Sequence, residues 1–356
     1  MLPRRAIPSS VSLGACAVAL GAAALAPAGC SPTERVFGTG GASSTTATST
    51  TTTSTTTTST TTTTTTATGS GGATTSTTGA STGAGGAGGT APVVLASGQS
   101  GAVQLALDTA NVYWTNYTAP GGGVAVVPKL GGTVTPLVSV GNASGLAVDA
   151  NNVYFSDVSD TTNGVIDLLP KGDTLPTPLA SGQGLPDYIA IDQNNVYWAD
   201  QDSGFVMSVP IFGGTTHVVS MGGIPYAVAA GNGNVYWSDF GMGTIAFFNE
   251  ITGGAGTIVG SQNHPQWLAV DVQNVYWTTQ DGDVQKAPNG VNQSPVTIAS
   301  GQMQAGGIAV DTADVYWTTL NDGGSVMKAP IAGGAATTLA SNQGNALAIA
   351  VDDTFV

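Results

Sequence analysis

Two cysteines, two histidines and two glutamates in 356 residues set the first limits on this chain. Cys16 lies inside an apolar leader, so at most one cysteine reaches the mature protein and no disulfide framework can hold it together. His217 and His264 are the only histidines, and no His/Cys spacing of a metal site exists. Glutamate occurs only at Glu34 and Glu250 and lysine four times, so the chain is short of helix formers. Basic side chains number 7 against 21 acidic, a formal charge of -14. Loss of Arg4 and Arg5 with the leader would leave 5 against 21, or -16. That balance excludes nucleic acid as a partner, because a phosphate backbone demands a Lys/Arg surface. The one long apolar run, residues 11–26, is too short to span a membrane as a helix.

What the chain does have is glycine, 51 residues of it, and a repeat. Asn111-Val-Tyr-Trp114 returns as Asn152-Val-Tyr-Phe155, Asn195-Val-Tyr-Trp198, Asn234-Val-Tyr-Trp237, Asn274-Val-Tyr-Trp277 and Asp314-Val-Tyr-Trp317, with tyrosines 41, 43, 39, 40 and 40 residues apart. A period near 40 residues belongs to propellers and solenoids. Ahead of each copy stands a short apolar run with alanine at its centre, such as Leu146-Ala-Val-Asp149 and Ile308-Ala-Val-Asp311. A small residue there suits the crowded axis of a propeller. In Val-Tyr-Trp, Val and Trp point one way and Tyr the other, which fits a strand buried between two neighbouring blades. A third strand follows, usually ended by proline (Pro128, Pro170, Pro210, Pro288, Pro330), and Gly-Gly pairs then turn the chain into an outer strand.

The fold expected is therefore all-β, a β-propeller of four-stranded blades over residues 91–356, with six complete repeats and a partial seventh. Inner runs number seven, counting Ile349-Ala-Val-Asp352, and so do outer runs once Val93 to Ala96 is counted. A seven-bladed ring is favoured, its last blade closed by 93–96 and short of about 25 residues at the C-terminal end; a six-bladed ring is the alternative. Turn capping is the reading of the aspartates that end the inner runs.

Arg4 and Arg5, the apolar core and the small residues before Cys30 form an export signal over residues 1–30. Pro27-Ala28-Gly29-Cys30 resembles the lipobox of bacterial lipoproteins. That resemblance implies lipidation at Cys30 and a membrane anchor, with Ser31 compatible with the outer membrane; plain secretion is the alternative. Residues 31–90 contain a Thr/Ser/Gly/Ala tract that cannot bury enough apolar surface to fold. As a flexible tether, roughly 50 such residues average about 40 Å end to end and reach about 170 Å when extended.

Tyr113-Trp-Thr-Asn116, Tyr197-Trp-Ala-Asp200 and Tyr236-Trp-Ser-Asp239 resemble the Tyr-Trp-Thr-Asp propellers of the lipoprotein-receptor and nidogen type, and related bacterial repeat propellers. The resemblance implies protein recognition without catalysis, and six blades. Candidate ligand-binding residues lie in loops leading into the inner strands: Gln99, Gln183, Gln262, Gln302, Gln343 and His264, with Tyr188 and Trp267 at equivalent positions of their strands. Loops between second and third strands carry Asp157, Asp160, Asp200, Asp202, Asp239, Asp281, Asp283 and Asp322. No catalytic residue, cofactor or metal is implied. The sequence thus reads as an anchored binding or scaffold module that recognises a protein or polysaccharide. A lyase or hydrolase propeller acting on a small molecule in the axial pocket is the alternative.

Overall fold

The computed structural model describes residues 92–356, apart from Ser100, 119–121, Thr161 and 321–322. Cys30, the leader and the tract up to residue 90 lie outside the described residues, as does Asp322. Twenty-four strands form six four-stranded sheets, and no helix occurs among the described residues. Each sheet takes its strands in chain order, all antiparallel, and the sheets stand as blades in a ring. Blade 1 has an inner strand Ala102–Leu107, a second Asn111–Asn116, a third Gly123–Pro128 and an outer Thr135–Ser139. Blades 2 to 6 occupy 143–183, 186–221, 225–259, 265–299 and 305–341.

Burial on both faces of the second strand explains why Val-Tyr-Trp is repeated. Tyr113 and Val124 of blade 1 pack with Val153, Phe155 and Leu169 of blade 2. Tyr276 and Val284 of blade 5 meet Val315, Trp317 and Ala329 of blade 6 in the same way. Trp114, Trp198, Trp277 and Trp317 are fully buried. Each such ring contributes roughly 1.5–3 kcal/mol on removal from water, so the core is a circle of blade-to-blade interfaces.

The aspartate ending each inner strand holds the tight turn that follows. Asp271 Oδ1 accepts from Gln273 N (2.7 Å) and Asn274 N, while its Oδ2 accepts the Tyr276 hydroxyl at 2.6 Å. Asp108, Asp149, Asp192 and Asp311 repeat this arrangement. In blade 4 Gly231 takes the aspartate's place, and Tyr236 is bonded by Asn234 instead. At the same end Gly213 and Gly214 turn the chain toward the outer strand with φ of 90° and 149°, a backbone that side chains resist.

The described residues complete six blades, which corrects the favoured count of seven. Runs 93–96 and 349–352 are both in place, but neither joins a sheet. A blade's inner and outer strands meet only through its second and third, so these two runs have nothing between them to pair with.

Candidate binding face

Every inner strand begins with a break in register against its neighbour. Such bulges bend the strand and re-aim side chains, and they occur at the upper end of the ring, opposite the aspartate turns. In blade 3 the break places Asp187 and Tyr188 side by side, with Tyr188 at φ 41°. This left-handed conformation costs a bulky residue on the order of 1 kcal/mol or more.

Tyr188 meets Trp267 of blade 5 edge to face, with ring centroids 4.8 Å apart, and stacks on Tyr226 of blade 4 at 5.2 Å. Tyr226 continues to Phe240 (6.1 Å), and Phe240 to the His264 ring (4.6 Å). Pairs at these distances are stabilising beyond the area they bury. Tyr188, Tyr226 and Trp267 share one apolar cluster with Leu347 and Ala348, which lie beyond blade 6. The rings of blades 3, 4 and 5 therefore meet one another, and the segment beyond blade 6, at the upper end of the ring.

Asp187 lies beneath them, 8 % exposed, accepting from Ser144 Oγ and from Tyr188 N at 3.0 Å. Burial raises its carboxyl above the ordinary value, and these two hydrogen bonds only partly offset that. Burial also raises the Tyr188 hydroxyl well above 10, reinforced by Tyr226 and Asp187, and pushes Tyr226 up to about 12. Tyr117 is raised by burial and by Asp187. All three phenols stay protonated at neutral pH, and the Tyr188 hydroxyl donates to that of Tyr226 at 3.5 Å. His264, at φ 48°, has its Nδ1 held 2.6 Å from Asn263 Oδ1, and Asn263 Nδ2 donates to Asp281.

Of the residues singled out in the sequence, the structure brings together Tyr188, Trp267 and, through Phe240, His264. It does not gather the glutamines. Gln99, Gln262 and Gln302 accept from the indoles of Trp114, Trp277 and Trp317 at 3.0, 3.2 and 3.2 Å. Their amide nitrogens donate to Ser97, Gly260 and Ser300 carbonyls. Gln183 and Gln343 donate likewise to Ser181 O and Ser341 O, one glutamine per loop around the ring. Asp200 and Asp239 are buried loop pins, receiving amides of Gly184, Leu185 and Ser203 and of Ile224 and Met242.

Tyr226, Phe240, Asp187, Ser144 and Tyr117 were not foreseen. Tyr226 falls one position ahead of Tyr188 in the repeat, and only the bulge lets both positions aim at the axis. Both ends carry aspartate, but the cations are confined to one. The cations among the described residues are Lys129, Lys171, Lys286 and Lys328, all at the lower, aspartate-turn end. The upper face carries aspartate alone.

No family model and no curated protein matches the chain. Solved structures do. A streptogramin B lyase aligns at TM-score 0.58 and 12 % identity, over 70 % of this chain and 86 % of its own. The computationally designed Ika8 protein aligns at 0.56 and 21 %, over 74 % and 82 %. The nidogen/laminin complex aligns at 0.46 and 20 %, over 52 % and 75 %. At these identities the likeness to the first two is one of fold, and with the six sheets above it defines the class: a β-propeller of four-stranded blades.

Proposed function

We propose that this chain is a membrane-anchored, non-catalytic β-propeller that recognises a protein or polysaccharide outside the cytoplasm through the upper mouth of its ring. The observation that carries the reading is the mutual packing of Tyr188, Tyr226 and Trp267 across that mouth. Rings packed this closely leave little room between Tyr188, Tyr226 and Trp267 for a small molecule, which favours a chain-like ligand laid over the rim. Protonated phenols and an acidic rim match hydroxyl-rich or cationic ligands. Placement outside the cytoplasm, in the outer membrane or at the cell surface, rests on the leader, Cys30 and the tract up to residue 90.

A second reading, a lyase or hydrolase working on a small molecule, draws on one feature: His264 at the rim, its ring against Phe240. Both are tested by titrating the protein with purified envelope polysaccharides and secreted proteins, alongside Tyr188→Ala and His264→Ala. Saturable binding without turnover, weakened at least tenfold by Tyr188→Ala, is expected. Turnover of a ligand, lost in His264→Ala, would overturn the binding reading in favour of the enzyme.

A further inference from the structure

The turns between third and outer strands, all at the lower end of the ring, hold apolar side chains in solvent. Leu130 is 90 % exposed in blade 1, Leu175 80 % in blade 2, Phe212 85 % in blade 3 and Ile251 85 % in blade 4. Leaving large apolar side chains this bare gives up the burial that drives folding, and here it recurs at one level of four successive blades. Turn geometry does not require it. Gly131 N donates to Pro128 O at 2.9 Å and Gly213 N to Pro210 O at 2.8 Å, so Leu130 and Phe212 take the third place of a closed four-residue turn. Small polar residues and Gly suit that place. Blade 2 puts Gly172 there, with Asp173 N donating to Pro170 O at 3.0 Å, and sets its apolar Leu175 three positions on. At Gly131 and Gly253 no heavy atom lies within 4 Å of where a Cβ would stand, so these turns project clear of the ring. The chain also enters at this end. Leu95 and Ala96 pack on Trp114 and Val127 and lead up to Gln99, whose Oε1 holds the Trp114 indole in the upper loops. The tract that follows Cys30 therefore joins the ring on the side of the exposed turns.

We propose that the lower end of the ring is a lipid-contact face, with Leu130, Leu175, Phe212 and Ile251 seated in the interface of a bilayer. The inference rests on the membrane-anchored reading above and adds an orientation to it: the aromatic mouth points away from the lipid. Separate apolar points, one per blade, suit a fluid surface that closes around each of them, whereas a protein partner would need them joined in one patch. The turn aspartates at this end, Asp108, Asp149, Asp192, Asp271, Asp311 and Asp352, outnumber the lysines, and Lys129, Lys171 and Lys328 are already paired with carboxylates. Attachment is therefore apolar, and the surface it fits is zwitterionic rather than anionic.

The test uses the full chain carrying Cys30→Ser, which removes the acyl acceptor, and phosphatidylcholine vesicles. Serine at Leu130, Phe212 and Ile251 together is expected to weaken sedimentation with the vesicles at least about tenfold. Serine at Met221, Met242 and Met303, exposed in the upper loops, should change it less than about twofold. All these side chains are exposed, so both triple variants should melt with the parent. Phe212→Trp should be quenched by brominated acyl chains and Met221→Trp should not, and phosphatidylglycerol vesicles should bind the chain no better. Equal losses in the two triple variants, no sedimentation of the Cys30→Ser chain, or an unquenched Phe212→Trp would overturn the lipid face. A lipid-free dimer broken by the lower serines would overturn it too, the turns then being a contact between copies. The anchor is judged apart from these results, by whether Cys30 of the unaltered chain takes up lipid.

Discussion

Replacing Asp167 with asparagine is expected to stabilise the ring at pH 8 and to change little at pH 4. Asp167 sits on the third strand of blade 2, opposite Phe155 and Pro178, and is 6 % exposed. Burial, and then the charge of Asp157, push its carboxyl from 3.8 up to about 6. A raised folded-state pKa means that the folded form holds the proton more tightly. The stability this contributes is complete below the unfolded value and is lost as pH rises through about 6. The gap between 3.8 and about 6, at about 1.4 kcal/mol per tenfold change, sets an upper limit of about 3 kcal/mol. Solvent screening and local relaxation reduce this, and about 1–2 kcal/mol is expected at pH 8. Asparagine keeps the shape without the charge. Urea unfolding followed by tryptophan fluorescence should show the variant's midpoint above the parent's at pH 8 and the two converging near pH 4. A pH-independent difference, or a less stable variant at pH 8, would refute the argument.

Tyr276→Phe removes the hydroxyl bond to Asp271 and should cost about 1 kcal/mol, whereas Tyr236→Phe in blade 4, where Gly231 replaces the aspartate, should cost less than half of that; equal losses in denaturant melts would count against the aspartate's role. Burial raises the Asp108 carboxyl, but Lys171, Tyr113 and two backbone amides outweigh it and hold the group well below its usual value. Its stability contribution is therefore present at neutral pH and lost as acid takes the pH down through that lowered value, and Lys171→Met should flatten the difference in melting temperature between pH 7 and pH 2. Gly307→Val places a Cβ 2.7 Å from Leu347 O and 3.0 Å from Ala348 Cα and should cost at least about 2 kcal/mol. Gly260→Ala, with nothing within 4 Å of the new Cβ, should stay within about 0.5 kcal/mol; a Gly307→Val variant as stable as this control would mean that 347–349 does not lie beside blade 6.

Much of the fold could be read from the chain because the repeat carries its own packing rule. Val-Tyr-Trp is apolar on both faces, so it had to lie between two sheets, and a central alanine or a strand-ending proline marked each neighbour in turn. The glutamines were read as a polar lining because a loop amide looks the same whether it faces water or an indole. The signal was present nonetheless: Gln99, Gln262 and Gln302 each precede their tryptophan by 15 residues. Gln183 keeps that spacing, yet Trp198 Nε1 is buried without a hydrogen-bond partner, so spacing alone does not make the bond. Tyr226 and Phe240 escaped for another reason. A bulge inserts an extra residue and re-aims the side chains ahead of it, which the alternation of apolar and polar residues does not record, and the aromatic chain from Trp267 to His264 depends on it.

Four lysines offset part of the carboxylate charge at the aspartate-turn end and none does so at the upper end, so both ends are negative and the upper one carries the less compensated charge. A cationic partner diffusing nearby would be turned toward the aromatic mouth before contact, and that guidance reaches only about 8 Å in physiological salt. Encounter rates should then fall steeply with ionic strength while dissociation hardly changes, the kinetic mark of a surface that orients its visitor before holding it.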